Sequence, residues 1–195
     1  MPEHEDPRAG DVEVHPLTPE RWADLEELFG PRGAVAGCWC MFWRAPSAQI
    51  TVANGETNRA ALRALVDEGR STGLLAYRNG QVAGWCSVAP RADYGRLQRS
   101  KKLGPVDDVP VWSIPCFYIH RSHRRSGVAA ALLGAAVEHA RANGAVAVEG
   151  YPVDPQGGRA PTSSAYVGVL PMFEAAGFRE IARRDDRPIV RRTLA

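Results

Sequence analysis

The stretch from Trp112 to Tyr151 limits the possible folds more than any other part of this chain. An apolar run, WSIPCFYIH, meets the basic turn RSHRRSG and continues without a break into the alanine- and leucine-rich VAAALLGAAVEHARAN. Asn143-Gly144 stops that segment, and a second apolar run, VAVEGY, follows. The spacing predicts a strand, a helix over Gly127 to Asn143, and another strand. Two strands joined by a helical crossover lie parallel, and the connection is right-handed. Pro115 cannot donate to a strand ladder, so a bulge or kink is expected inside the first strand.

The remaining elements have to be arranged around that unit. Asp11 to Pro16 alternates apolar and polar residues and predicts a first strand. Thr18-Pro19-Glu20 supplies a helix start, Trp22, Leu25, Leu28 and Phe29 an apolar stripe, and Gly30-Pro31 a stop. Gly33 to Pro46 reads as an aromatic loop, and Glu56 to Glu68 as a second helix. In TGLLAYRNGQVAGWCSVAP, two strand-like runs flank Asn79-Gly80, the dipeptide suited to a type I′ hairpin turn. Arg91 to Val109 is polar, and its length suggests a functional loop or short helix. Beyond the crossover, Ser163 to Ala176 reads as a helix despite Pro171, and two strands close the chain. The expected class is mixed α/β, with residues 1–10 as a tail and 11–195 as one domain.

Composition narrows the function classes. A net charge of +2 over 195 residues does not suggest a polyanion partner for the chain as a whole. The opening MPEHEDPRAG is acidic, contains proline and has no apolar run. It does not resemble a signal peptide, and no apolar stretch reaches the ~20 residues of a membrane span. A cytoplasmic location without membrane attachment is therefore the expectation. The four cysteines, Cys38, Cys40, Cys86 and Cys116, lack zinc-site spacing, so reduced thiols and no metal are expected.

HRSHRRSG admits two readings: a basic patch for nucleic acid, or an anion cradle at a helix start. A helix start exposes unpaired N–H groups at its positive end. Gly127 permits a left-handed backbone there and Ala129 keeps the next turn uncrowded. The helix itself carries few basic residues, which disfavours nucleic acid. The arginines also have an ordinary alternative as a solvated face, Arg121 and Arg125 more so than Arg124.

FYIHRSHRRSGVAAALL resembles the hallmark segment of the GNAT acetyltransferase superfamily, a strand and turn carrying Q/R-x-x-G-x-G/A and then a helix. MFEAAGFREI is similar to the family's last core helix and the strand after it. The resemblance implies a GNAT-like fold, a central mixed, mostly antiparallel sheet flanked by helices, and an acyl-CoA-dependent N-acyltransferase with acetyl-CoA as co-substrate. It implies that backbone groups around Phe117 and Ile119 pair with the pantetheine arm. The pyrophosphate would rest on Arg124, Arg125, Ser126, Gly127, Val128, Ala129 and Ala130. The thioester would enter a gap between the strands at 112–120 and 146–151.

The reaction needs a neutral amine and a proton for the departing thiolate. Family members commonly carry a tyrosine just before the "GF", where this chain has Phe173. Tyr166, two helical turns earlier on the same predicted helix, is the substitute candidate; the alternative is a packing role. Some members carry a base early in the motif strand, near Ser113 here, which could at most orient a water. Glu149, inside an apolar strand, is a candidate base or one half of a structural salt bridge. Trp39, Phe42, Trp43 and Arg44 form either the wall of an acceptor pocket or a plug over the sheet. The expected partner is a small-molecule amine, and a homodimer is left open. The alternative functions are a catalytically silent acyl-CoA-binding protein and, from another class, a nucleic-acid-binding module.

Overall fold

A computed structural model describes residues 12–44, 55–156 and 165–194. The proposed 1–10 tail and the start of the predicted 163–176 helix lie outside these. Among the described residues seven strands form one sheet: β1 (Val12–Pro16), β2 (Gly73–Arg78), β3 (Gln81–Pro90), β4 (Trp112–Ile119), β5 (Ala147–Gly150), β6 (Arg179–Arg184) and β7 (Arg187–Thr193). Their order is β1-β2-β3-β4-β5-β7-β6, and every pairing is antiparallel except β4 with β5. Between those two runs α4 (Val128–Ala142), the crossover helix the sequence predicts. The β2–β3 turn has Asn79 and Gly80 both left-handed, at φ 51° and 74°, as a type I′ hairpin requires.

Strand alternation sends residues to two different cores. On one face α4 covers the sheet, with Leu132, Leu133, Ala136 and Val137 packed against Leu74, Val88, Ile114, Phe117 and Val148. Gly84 on β3 lets that helix sit low. A side chain there would lie 2.9 Å from both Ile119 and Val128. The other face carries α1 (Trp22–Phe29) and α2 (Gly55–Asp67), packed with the 39–41 loop over Leu75 and Trp85. On that same side the 91–106 segment, including α3 (Gly95–Gln98), buries Tyr94, Leu97 and Leu103 over Ala89, Tyr151 and Ile189.

Pro115 leaves its expected mark. Trp112 and Ile114 face α4, yet so do Phe117 and Ile119, while Cys116 and Tyr118 face the α1/α2 side. The alternation slips by one residue between Ile114 and Phe117. The β3–β4 register slips at the same place, with Ser87 opposite Cys116 and Ala89 opposite Ser113. This is a β-bulge.

Over the described part of the predicted Ser163–Ala176 helix, residues 165–176, no continuous helix forms. Ala165–Val167 makes one 3-10 turn, Gly168 turns left-handed at φ 80°, Val169 is extended, and α5 covers only Leu170–Ala175. Pro171 occupies the first turn of α5, where its missing N–H costs nothing and its ring bars any helix from running through from the N-terminal side. Tyr166 therefore does not share a helix face with Phe173.

Candidate functional site

The site grows from the end of β4. β4 and β5 pair only through Trp112↔Val148, Ser113↔Glu149 and Ile114↔Gly150. β5 then ends, while β4 continues to Ile119 paired only with β3. Past this fork the chain passes through a 3-10 turn at Arg121–His123 and enters α4. Arg125 has φ 61° and Gly127 φ 82°, so left-handed residues alternate with ordinary ones just before the helix. Such alternation turns successive N–H groups toward one concavity, a nest suited to anions. The first intrahelical bond at this end joins Ala131 N–H to the Gly127 carbonyl. The N–H groups of Val128, Ala129 and Ala130 precede it and have no acceptor within the helix.

Side chains around this nest leave it clear. A Cβ built on Gly127 meets nothing within 4 Å. Ser126 Oγ donates to the His123 carbonyl at 2.6 Å and braces the turn. Arg124 and Arg125 are exposed, and among the described residues neither has a carboxylate partner. Arg124 only leans on the Ile119 carbonyl, at 3.5 Å. The concavity, the helix end and two exposed guanidiniums fit a diphosphate.

The candidate acid–base residues are placed differently from the expectation. Ser113 is fully buried, and its hydroxyl is 2.8 Å from the Tyr151 hydroxyl, so it has no solvent water to orient. Glu149 is 1% exposed and held by two arginines, Arg91 at 2.7 Å and Arg191 at 2.7 Å, and it accepts from Tyr151 at 3.1 Å. Arg91 also donates to the Tyr151 hydroxyl and the Leu103 carbonyl, and Arg191 reaches Asp107. Burial, followed by the Glu149 charge, pushes the Tyr151 hydroxyl far above its ordinary range. The geometry of Glu149 is that of a paired structural anion at the root of the fork. The sequence already required a partner for it; Arg91 lies 58 residues away, and no local signal named it.

Tyr166 lies on the 3-10 turn Ala165–Val167 and is 41% exposed. The turn packs on β4, and Gly168 behind it abuts Phe117. Burial raises the Tyr166 hydroxyl pKa, and Cys116 and Cys38 add to the shift. Phe173 is core: it is fully buried edge-on against Phe117 and Phe178.

The aromatic loop divides its residues. Trp39 is buried, stacked 6.0 Å from Trp22 and edge-on to Phe29 at 5.5 Å. Phe42 and Trp43 pack edge-to-face at 4.9 Å, with the Arg96 guanidinium 4.1 Å above the Phe42 ring. Arg44 is not available to an acceptor. Its side chain is 4% exposed, ion-paired to Asp93 at 3.5 Å and bonded to the Ser71 carbonyl and the Tyr94 hydroxyl. Beside Trp39 a cleft of about 810 Å³ opens between α1, the 30–39 loop and the start of α2, with Glu26, Glu27, Arg32, Glu56 and Arg59 on its walls. Among the described residues no cluster of three or more His, Cys, Asp or Glu could hold a metal, and no helix is long and apolar enough to cross a membrane.

A sequence profile of the acetyltransferase (GNAT) family matches residues 33–154, more than half the chain and the whole of the fork and nest. The chain belongs to the acetyltransferase (GNAT) family. No curated protein matches it. Solved structures share the GNAT fold at low identity. A ribosomal-protein-alanine N-acetyltransferase from Brucella melitensis is 15% identical, with TM-score 0.53 over 93% of this chain and 99% of that one. A GNAT family acetyltransferase from Brucella melitensis in complex with acetyl-CoA is 13% identical, with TM-score 0.50 over 95% and 90%. PaiA N-acetyltransferase from Thermoplasma acidophilum, in complex with coenzyme A, is 11% identical, with TM-score 0.53 over 94% and 99%. At the level of the family, the activity of a GNAT chain is acyl-CoA-dependent acetyl transfer.

Proposed function

We propose that this protein transfers an acetyl group from acetyl-CoA to a primary amine of a small molecule, by direct attack of the amine on the thioester. One observation carries the reading: the nest over residues 124–130 sits at the end of a strand whose neighbour has just turned away. An anion cradle and a free strand edge in line suit a long ligand with a diphosphate at one end. Acetyl-CoA is such a ligand, and it supplies the acetyl group already activated as a thioester.

The chain's own residues take the remaining roles. The backbone of Val128, Ala129 and Ala130 binds phosphate oxygens, with Arg124 and Arg125 adding charge. The Phe117–Ile119 edge orients the arm. Tyr166, kept protonated by its surroundings, gives its proton to the departing sulfur. The acceptor enters along the cleft beside Trp39, whose neighbour Cys40 reaches the motif strand. No fixed carboxylate base is assigned, because Glu149 is already paired with two arginines. The amine loses its proton to solvent.

That last point also favours the silent acyl-CoA-binding reading, and one experiment separates the two. Calorimetry measures acetyl-CoA binding, and a panel of small amines is then screened for CoA release. Binding with amine-dependent release supports transfer. Binding without release from any amine supports the silent protein. No binding removes both.

A further inference from the structure

The function above assigns no chemical step to the four cysteines, and two of them are in contact. Cys40 Sγ, in the aromatic loop, lies 3.8 Å from Cys116 Sγ on β4, across 76 residues of sequence. We propose that Cys40 and Cys116 are a peroxide-sensitive thiol pair whose disulfide ties the aromatic loop to the motif strand and shuts acetyl transfer off. The shut-off rests on the function proposed above; the bond itself does not.

Placement makes the pair specific. Cys116 follows the Pro115 bulge, and the slipped alternation turns it toward the α1/α2 side. Trp39 and Cys40 are both left-handed, at φ 43° and 54°. Non-glycine residues adopt that backbone only where the surroundings impose it. Here it drops Cys40 into the core, 5% exposed, with the Trp85 indole N–H donating to its sulfur at 2.9 Å. A disulfide of ~2.05 Å asks the two sulfurs to close by roughly 1.8 Å, a shift a loop can make toward a strand. Cys86 is no competitor, since it packs in the core on the α4 side of the sheet.

Exposure assigns the order of events. Cys116 is half-buried and Cys40 buried, so within the pair Cys116 is the residue an oxidant reaches first. Its thiolate attacks one oxygen of hydrogen peroxide, the O–O bond breaks, and hydroxide leaves to give a sulfenic acid. Cys40 sulfur then attacks Cys116 sulfur, the S–O bond breaks, and water departs with the Cys40 proton. Two thiols lose two electrons and two protons, and one peroxide becomes two waters. The contact with Cys116 and burial hold the Cys40 thiol well above its ordinary range, so it remains a thiol until that second step.

The test uses the full chain, reduced, desalted and treated with hydrogen peroxide. Non-reducing peptide mapping should find Cys40 joined to Cys116, and the intact mass should fall by about 2 Da. Amine-dependent CoA release should drop by about tenfold or more and return with dithiothreitol. Cys40→Ala, checked for folding by its melting curve, should form no link and keep its transfer through the same treatment. A link through Cys38 or Cys86 instead, or Cys116 oxidised without a cross-link, overturns the pair. A Cys40–Cys116 link that leaves transfer unchanged overturns the shut-off. If the reduced protein releases no CoA with any amine, the proposed function fails, and the peptide map still decides the pair.

Discussion

Replacing Glu149 by glutamine separates a structural anion from a catalytic base. The change keeps shape and removes charge. Among the described residues it leaves Arg91, whose side chain is 7% exposed, with the Tyr151 hydroxyl, the Leu103 carbonyl and Gln98. Arg191 keeps Asp107 and loses less. Breaking one side of a buried pair costs about 3–5 kcal/mol, because the surviving charge stays desolvated. For a domain of this length that lowers the melting temperature by roughly 6–20 °C. Arg91→Met should cost a similar amount. The double variant should cost clearly less than the two singles added, because no lone charge remains. Urea unfolding of the four proteins measures the cycle. Because Ser113↔Glu149 is the second of only three β4–β5 pairs, loosening it should also weaken acetyl-CoA binding. Turnover at saturating acetyl-CoA should be far less affected. A Glu149→Gln variant of undiminished stability whose turnover collapses would refute the structural assignment and restore Glu149 as a base.

Gly127→Asp places a negative charge in the nest without steric contact, so acetyl-CoA affinity by calorimetry should fall by about a hundredfold or more, while the left-handed backbone costs stability only ~1 kcal/mol. Tyr166→Phe should lower turnover more than acetyl-CoA affinity in steady-state kinetics. Since burial raises the Tyr166 pKa, the wild-type rate should hold past pH ~10 before falling, and that alkaline limb should vanish in the variant. Unchanged turnover removes Tyr166 from the mechanism. Burial pushes Tyr94 up to about 12, above its unfolded value of ~10, so its contribution is complete below pH ~10 and is lost as pH rises toward 12. Urea midpoints measured from pH 8 to 11.5 should decline from about pH 10 upward, and less steeply in Tyr94→Phe.

The elements that rest on local chemistry were legible in the chain: the Asn79-Gly80 hairpin, the crossover helix, the glycine at its head and the bulge at Pro115. Each depends on contacts or backbone preferences within a few residues. The same holds for the glycine half of the nest, whereas Arg125, left-handed at φ 61°, carries no such local signal. The apolar spacing over 163–176 predicts one helix, but two breakers, Gly168 and Pro171, act on the backbone directly and interrupt it.

Pairings across the sheet were not legible. The sequence required a counter-charge for Glu149 but could not name Arg91 or Arg191, since three distant segments meet only when β5 lies between β4 and β7. Arg44 looked free beside its aromatic neighbours until folding placed Asp93 against it. Cys40 and Cys116 became a pair only because a one-residue slip in β4 turned Cys116 toward the loop. The sequence alone determined where the anion-suited turn before the crossover helix lies, a matter of one turn and one helix end. Which side chains remain free for chemistry was decided by the tertiary structure, because a charge or thiol is free only if nothing distant in the chain folds against it.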